Sequence, residues 1–174
     1  MKTSLVLTVI GDDRPGIVEA LADEVLAIGA NWEESRMARL AGKFAGLLRV
    51  SVESDLAADL SARLRALQAN LTVVVEETTD DPGPERRTLK LELVGNDRPG
   101  IIRDISRALA DQHINIEELE TDVTSAPMTG DLLFRAQATL RVPPSVTLDT
   151  LRRQLEALAA ELMVDLSLDP VQAG

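Results

Sequence analysis

The sequence contains no cysteine and no tyrosine, and only one tryptophan, two phenylalanines and one histidine among 174 residues. Without cysteine there is no disulfide framework, no thiolate metal site and no nucleophilic thiol. A single histidine, His113, excludes a multi-histidine metal centre and makes a histidine-based triad a poor fit. With Trp32, Phe44 and Phe134 as the only aromatics, a platform for stacking single-stranded bases is not expected. Basic residues are scarce as well. Eighteen Lys and Arg stand against 29 Asp and Glu, a net charge of −11, so DNA phosphates should repel the chain. No apolar run approaches the roughly 18 residues of a membrane span. What remains is ample for folding: 45% of residues are apolar, and the length suits one domain or two small ones.

The chain repeats itself. Ser4 to Gly11 (SLVLTVIG) is mirrored 84 positions later by Thr88 to Gly95 (TLKLELVG). The next residues, Gly11-Asp12-Asp13-Arg14-Pro15-Gly16-Ile17-Val18, match Gly95-Asn96-Asp97-Arg98-Pro99-Gly100-Ile101-Ile102 at six of eight positions. Asn31, Glu33 and Glu34 match Asn115, Glu117 and Glu118 at the same offset. Leu60, Leu64, Leu67 and Leu71 then match Leu151, Leu155, Leu158 and Leu162 at an offset of 91. Most of the difference falls in Ser125 to Gly130 (SAPMTG), whose Pro and Gly mark a loop. A period this long indicates duplicated domains rather than a solenoid. Thr79 to Glu85, rich in Pro, Gly and acid, has the composition of a linker, giving copies at 1–79 and 88–170 around a linker at 80–87. The short apolar start is followed at once by Asp12-Asp13 and is copied mid-chain. It therefore reads as structure rather than as a removable leader, and the expected location is the cytoplasm.

Each copy opens on a β-prone run, alternating in the second as Leu89, Leu91 and Leu93 against Lys90 and Glu92. Pro15 and Pro99 stand where a helix should begin. Ile17, Leu21, Val25 and Ile28 then form an apolar stripe closed by Gly29, echoed by Ile101, Ile105 and Leu109. Two strands follow, Asn31 to Arg39 and Phe44 to Val52, about a turn at Gly42-Lys43. The leucine ladder predicts a second helix from Leu56 to Asn70, and Thr72 to Glu76 a last strand. The order β-α-β-β-α-β, with right-handed crossovers, gives an α+β ferredoxin-like sandwich in each copy: a four-stranded antiparallel sheet with both helices on one face. Duplication lets the two sheets pair, and an interface between copies is a favoured place for a small ligand.

The shared turn carries the chemistry. Gly16 and Gly100 leave the backbone N–H groups of a helix start uncovered, suited to a carboxylate or phosphate. Asp13 and Asp97 lie beside it, suited to an ammonium. Asn31 and Asn115 offer an amide that both donates and accepts, and from an edge strand would approach the partner copy's turn. The set fits a free amino acid. The same residues also fit plain turn chemistry, with Asp as a cap and Pro-Gly as a bend. Trp32 reads as packing and His113 as a helix-end residue. Adjacent glutamates such as Glu33-Glu34 and Glu117-Glu118 point to opposite strand faces and do not suggest a metal site. No phosphate-loop pattern, no catalytic constellation, no cofactor site and no metal site is expected.

Gly-x-Asp-Arg-Pro-Gly-Ile-Val at 11–18, followed by Gly-Ala-Asn-Trp-Glu-Glu-Ser-Arg at 29–36, is similar to the ACT domain, and the resemblance covers about residues 3–78 and 88–169. The second copy departs from it at Leu119-Glu120, where the first has Ser35-Arg36. ACT domains are β-α-β-β-α-β regulatory modules that commonly sense amino acids. The resemblance implies ligand contacts at Asp13, Gly16, Ile17 and Asn31 and at Asp97, Gly100, Ile101 and Asn115. For a chain of two ACT copies and little else it implies an amino-acid-responsive regulator with glycine as signal, and the tight turn, with room for only a small polar molecule, suits glycine or serine. The partner would be a protein such as a transcriptional activator of glycine cleavage, with no direct contact to nucleic acid or membrane. The alternative is a regulatory subunit or accessory module of an amino-acid or one-carbon metabolic enzyme. Exposed edge strands suggest a homodimer.

Overall fold

A computed structural model describes residues 1–67, 71–78, 86–126 and 130–171. Most of the expected linker, Asn70 and the middle of the Ser125–Gly130 loop lie outside the described residues, and the second helix, expected from Leu56 to Asn70, already ends at Arg65. The chain divides into two compact units, Met1–Pro82 and Gly83–Gly174.

The first unit runs β1 (Lys2–Asp12), α1 (Ile17–Ala27), β2 (Asn31–Leu40), β3 (Lys43–Glu53), α2 (Ala57–Arg65) and β4 (Leu71–Thr78). The second repeats the order as β5 (Arg87–Asn96), α3 (Ile101–Asp111), β6 (Asn115–Ser125), β7 (Leu132–Val142), α4 (Leu148–Leu162) and β8 (Val164–Pro170). The sheets have strand orders β2-β3-β1-β4 and β6-β7-β5-β8, antiparallel throughout. This is the ferredoxin-like sandwich twice. Alternation places Leu5, Leu7 and Val9 on one face of the first sheet with Leu48, Val50 and Val52. There they form one core with Ile17, Leu21 and Val25 of α1 and Leu60 and Leu64 of α2. The second core is built alike, from Leu89, Leu91, Leu93, Ile101, Ile105, Leu109, Leu151 and Leu155. Each fully buried leucine contributes about 1.5–3 kcal/mol of transfer free energy. The other face of each sheet is left without helices.

Three expectations need correction. The helices begin at Ile17 and Ile101, so Pro15 and Pro99 stand two residues ahead of the first helical position. The N-caps are Gly16 (φ 88°) and Gly100 (φ 98°), both left-handed, a conformation that side chains with a Cβ strongly resist. The β2–β3 turn is centred on Ala41 (φ 48°) and Gly42 (φ 80°) rather than Gly42-Lys43. Two positive φ values suit the twist of a tight hairpin, and Lys43 is already paired with Asp12 in the sheet. Finally, Leu71 is not part of a helical ladder. It opens β4 opposite Gly11, the place that Val164 takes opposite Gly95. The matched leucine Leu162 is instead the last residue of the longer α4.

Candidate functional site

Two turns, at the ends of β1 and β5, present the shared motif. At the first, Asp13 N–H donates to the Gly42 carbonyl (3.0 Å), tying the segment to the hairpin. The Asp13 carboxylate meets Arg39 Nε at 2.6 Å, so it pairs with a guanidinium and does not cap α1. Asp12 is paired with Lys43, which holds its carboxyl below the ordinary 3.8, with Arg14 adding to the effect. The α1 start has no side-chain cap, and its first intrahelical bond is Ala20 N–H to Gly16 O (2.9 Å). Gly16 is exposed.

The second turn has the same backbone and different surroundings. Asp97 N–H donates to Leu132 O (2.8 Å), and Asp104 N–H to Gly100 O (3.0 Å). The α3 start is likewise uncapped by any side chain, in contrast to α4, where Thr147 accepts from Thr150 N–H. Register makes Val123 the counterpart of Arg39, since they face Phe134 and Phe44, and Leu133 the counterpart of Lys43. The exposed Asp97 carboxylate therefore has no ion-pair partner among the described residues. Arg103 and Asp104 pair at 2.7 Å beside Gly100. A methyl placed on Gly100 would stand 3.6 Å from the Arg103 guanidinium.

The structure brings together part of the expected set. Asp13 with Gly16, and Asp97 with Gly100, share a turn. Ile17 and Ile101 adjoin them but are buried in the cores, at 4% and 2% exposure. Asn31 and Asn115 are exposed but stand elsewhere. Asn31 sits opposite Ser51 whereas the turn end of β3 is Lys43, eight residues or about 27 Å away. Asn115, opposite Arg141, is as far from Leu133. Neither asparagine joins the turn of its own unit.

Strand bulges alter one further expectation. The register shifts between Trp32 and Glu34, and between Ile116 and Glu118. An inserted residue breaks the alternation of faces. As a result Glu33 and Glu34 both approach Arg49, at 3.4 and 3.9 Å, instead of facing apart. In the second unit Glu117 pairs with Arg141 (3.2 Å) and Glu118 accepts from Thr139 (3.3 Å). No group of three potential metal ligands occurs among the described residues. Trp32 packs partly against the first core and donates to Ser35 Oγ (3.3 Å). His113 ends the α3 turn in a left-handed conformation.

Two concave surfaces are lined by none of Asp13, Gly16, Asp97 and Gly100. An apolar slot beside α3 is lined by Leu93, Ile102, Ile105, Ile116 and Leu119, and a shallow basin on the open face of the first sheet by Val6, Arg36, Leu47 and Arg49. The residue that sequence reasoning missed is Arg39. Its signal was present: it lies two residues before the hairpin turn, so pairing returns it to the end of β1. No helix among the described residues is long and apolar enough to cross a membrane.

Two family models, both of the ACT domain, match residues 3–77 and 84–160. The chain is 28% identical, over 96% of its length and 90% of the relative's, to the glycine cleavage system transcriptional repressor of Escherichia coli strain K12. Among solved structures, an unknown protein from Galdieria sulphuraria is 30% identical with a TM-score of 0.89, covering 99% of this chain and 100% of that one. A structure provisionally named as a glycine cleavage system transcriptional repressor gives a TM-score of 0.74, with 99% of both chains covered. Its identity is 22%, so it speaks for the fold alone.

Proposed function

The chain belongs to the ACT domain family, one domain in each half, and from that premise we propose that it is an amino-acid-responsive regulator that acts through a protein partner. The partner is a transcriptional regulator of glycine cleavage, and the ligand a small amino acid, glycine or serine. Similarity along the whole chain to a protein named as the transcriptional repressor of that system supports this reading.

The observation that carries it is the α3 start. An uncapped helix terminus with a left-handed glycine stands beside an aspartate that no described cation neutralises. The N–H groups of the first turn, which have no intrahelical partner, and the positive end of the helix dipole receive a carboxylate. Asp97 receives the ammonium. The contact set is Asp97, Gly100 and the Ile101 N–H. Asp13, Gly16 and the Ile17 N–H form the weaker copy, because an ammonium there must displace Arg39 from Asp13.

Affinity capture by the tagged full-length chain from lysate, with and without millimolar glycine, tests the regulatory role. The expected result is recovery of a transcription factor in an amount that glycine changes. Recovery of a metabolic enzyme in its place overturns the reading and leaves an accessory module.

A further inference from the structure

We propose that the helix-free face of the first sheet is an interface with a second copy of this chain, face to face. Pairing register permits a position-by-position comparison of the two open faces. Across the first sheet one row reads Arg36, Leu47, Thr8, Val74. The same row of the second sheet reads Glu120, Gln137, Glu92, Ser167. On the neighbouring rows Ala45 and Val6 are replaced by Arg135 and Lys90. The backbone is the same, so the second sheet displays what a solvated face of this fold carries. The first carries an apolar patch instead: Leu47 and Val74 are 51% and 49% exposed around the half-buried Val6, extended by Ile10 (47%), where the second sheet also has an aliphatic, Val94 (37%). A contiguous apolar patch of this kind marks a contact surface.

Charge identifies the occupant. The chain carries −11 overall. Yet over these three rows the first face is balanced, with Arg36 and Arg49 against Glu34 and Glu76. On the β2 and β3 flank Arg36 and Arg49 outnumber Glu34, which pairs with Arg36 at 3.3 Å and lies 3.9 Å from Arg49, so one net positive charge is left there, and Glu76 lies on β4. A two-fold axis along the strands sets the β2 flank of one copy over the β4 flank of the other, opposite charges facing. The corresponding rows of the second face hold six carboxylates against Lys90 and Arg135 and would repel their own copy. Size agrees. Four strands at about 4.8 Å, over the eight β1 residues paired on both sides, give about 500 Å² per copy. Two copies together cover about 1,000 Å², the lower bound of a specific interface.

Light scattering coupled to size exclusion, on the full-length chain across a hundredfold concentration range, reads the association. The expected species is a dimer. Leu47→Gln with Val74→Ser, residues borrowed from the same positions of the second sheet, should shift the dimerisation constant at least tenfold toward monomer with the circular dichroism spectrum unchanged. Arg36→Glu on the exposed edge should weaken the dimer independently of the apolar pair, and Gln137→Ala on the other sheet should leave it intact. A monomer at every concentration, including one that associates only when a different protein is added, overturns the proposal. So does a dimer indifferent to the first-sheet substitutions.

Discussion

His113 holds a left-handed backbone, φ 56°, at the position where the first copy has Gly29 at φ 71°. A Cβ is strained there by about 1–2 kcal/mol, and the exposed imidazole makes no hydrogen bond or ion pair that would offset it among the described residues. His113→Gly should therefore stabilise the second unit by about 1 kcal/mol, raising its thermal transition by about 4–8 °C. Calorimetric melting checks the sign. Asp12 gives a pH signature. Its folded pKa is depressed by Lys43, so the folded state binds that proton less readily than the unfolded chain. The resulting stability is present above the unfolded value and lost as pH falls through the folded one. Asp12→Asn should flatten the loss of stability below about pH 4 and leave its pH dependence near neutrality unchanged, as read by denaturant titration over pH. Glycine, aspartate and asparagine were all legible as a pattern, but their partners were not. Ion pairing of Asp13 depends on which residue the hairpin carries back beside β1, a tertiary fact that local spacing does not hold.

At the scale of elements, the Ala41–Gly42 turn is suboptimal in its first residue. Both central positions have positive φ, and Asn-Gly is the favoured pair for such hairpins. Ala41→Asn should stabilise the first unit by about 0.5–1 kcal/mol, measured as a shift in denaturant midpoint at unchanged slope. Most elements could be read in advance, because Leu5, Leu7 and Val9 alternate and Ile17, Leu21 and Val25 recur at helical spacing. The failures have a common cause. A leucine at i, i+4 spacing from a helix also fits the first inward position of the next strand, which is how Leu71 was misplaced. The bulge at Glu33 was invisible for a similar reason: alternation is a default that one inserted residue cancels.

At the scale of the molecule, duplication was legible from two octamers, and it fixed the fold twice over. It did not reveal that the two turns and the two open faces differ in their surroundings. The turns share a backbone, yet Asp13 faces Arg39 while Asp97 has Val123 in the corresponding place. The open faces share a register, yet one is charge-balanced around an apolar patch and the other acidic. These differences emerge only when each residue is compared through its pairing partners.

Thermal unfolding against the twenty amino acids at millimolar concentration is the most direct measurement of amino-acid sensing. A ligand of the folded state at a hundredfold excess over Kd adds about 2.7 kcal/mol of stability. The expected result is a rise in the second unit's transition with glycine or serine. Asp97→Asn should abolish it, and Asp13→Asn should largely spare it. A flat response across all twenty, or a response equally lost in both variants, would contradict the assignment of the second turn as the amino-acid site.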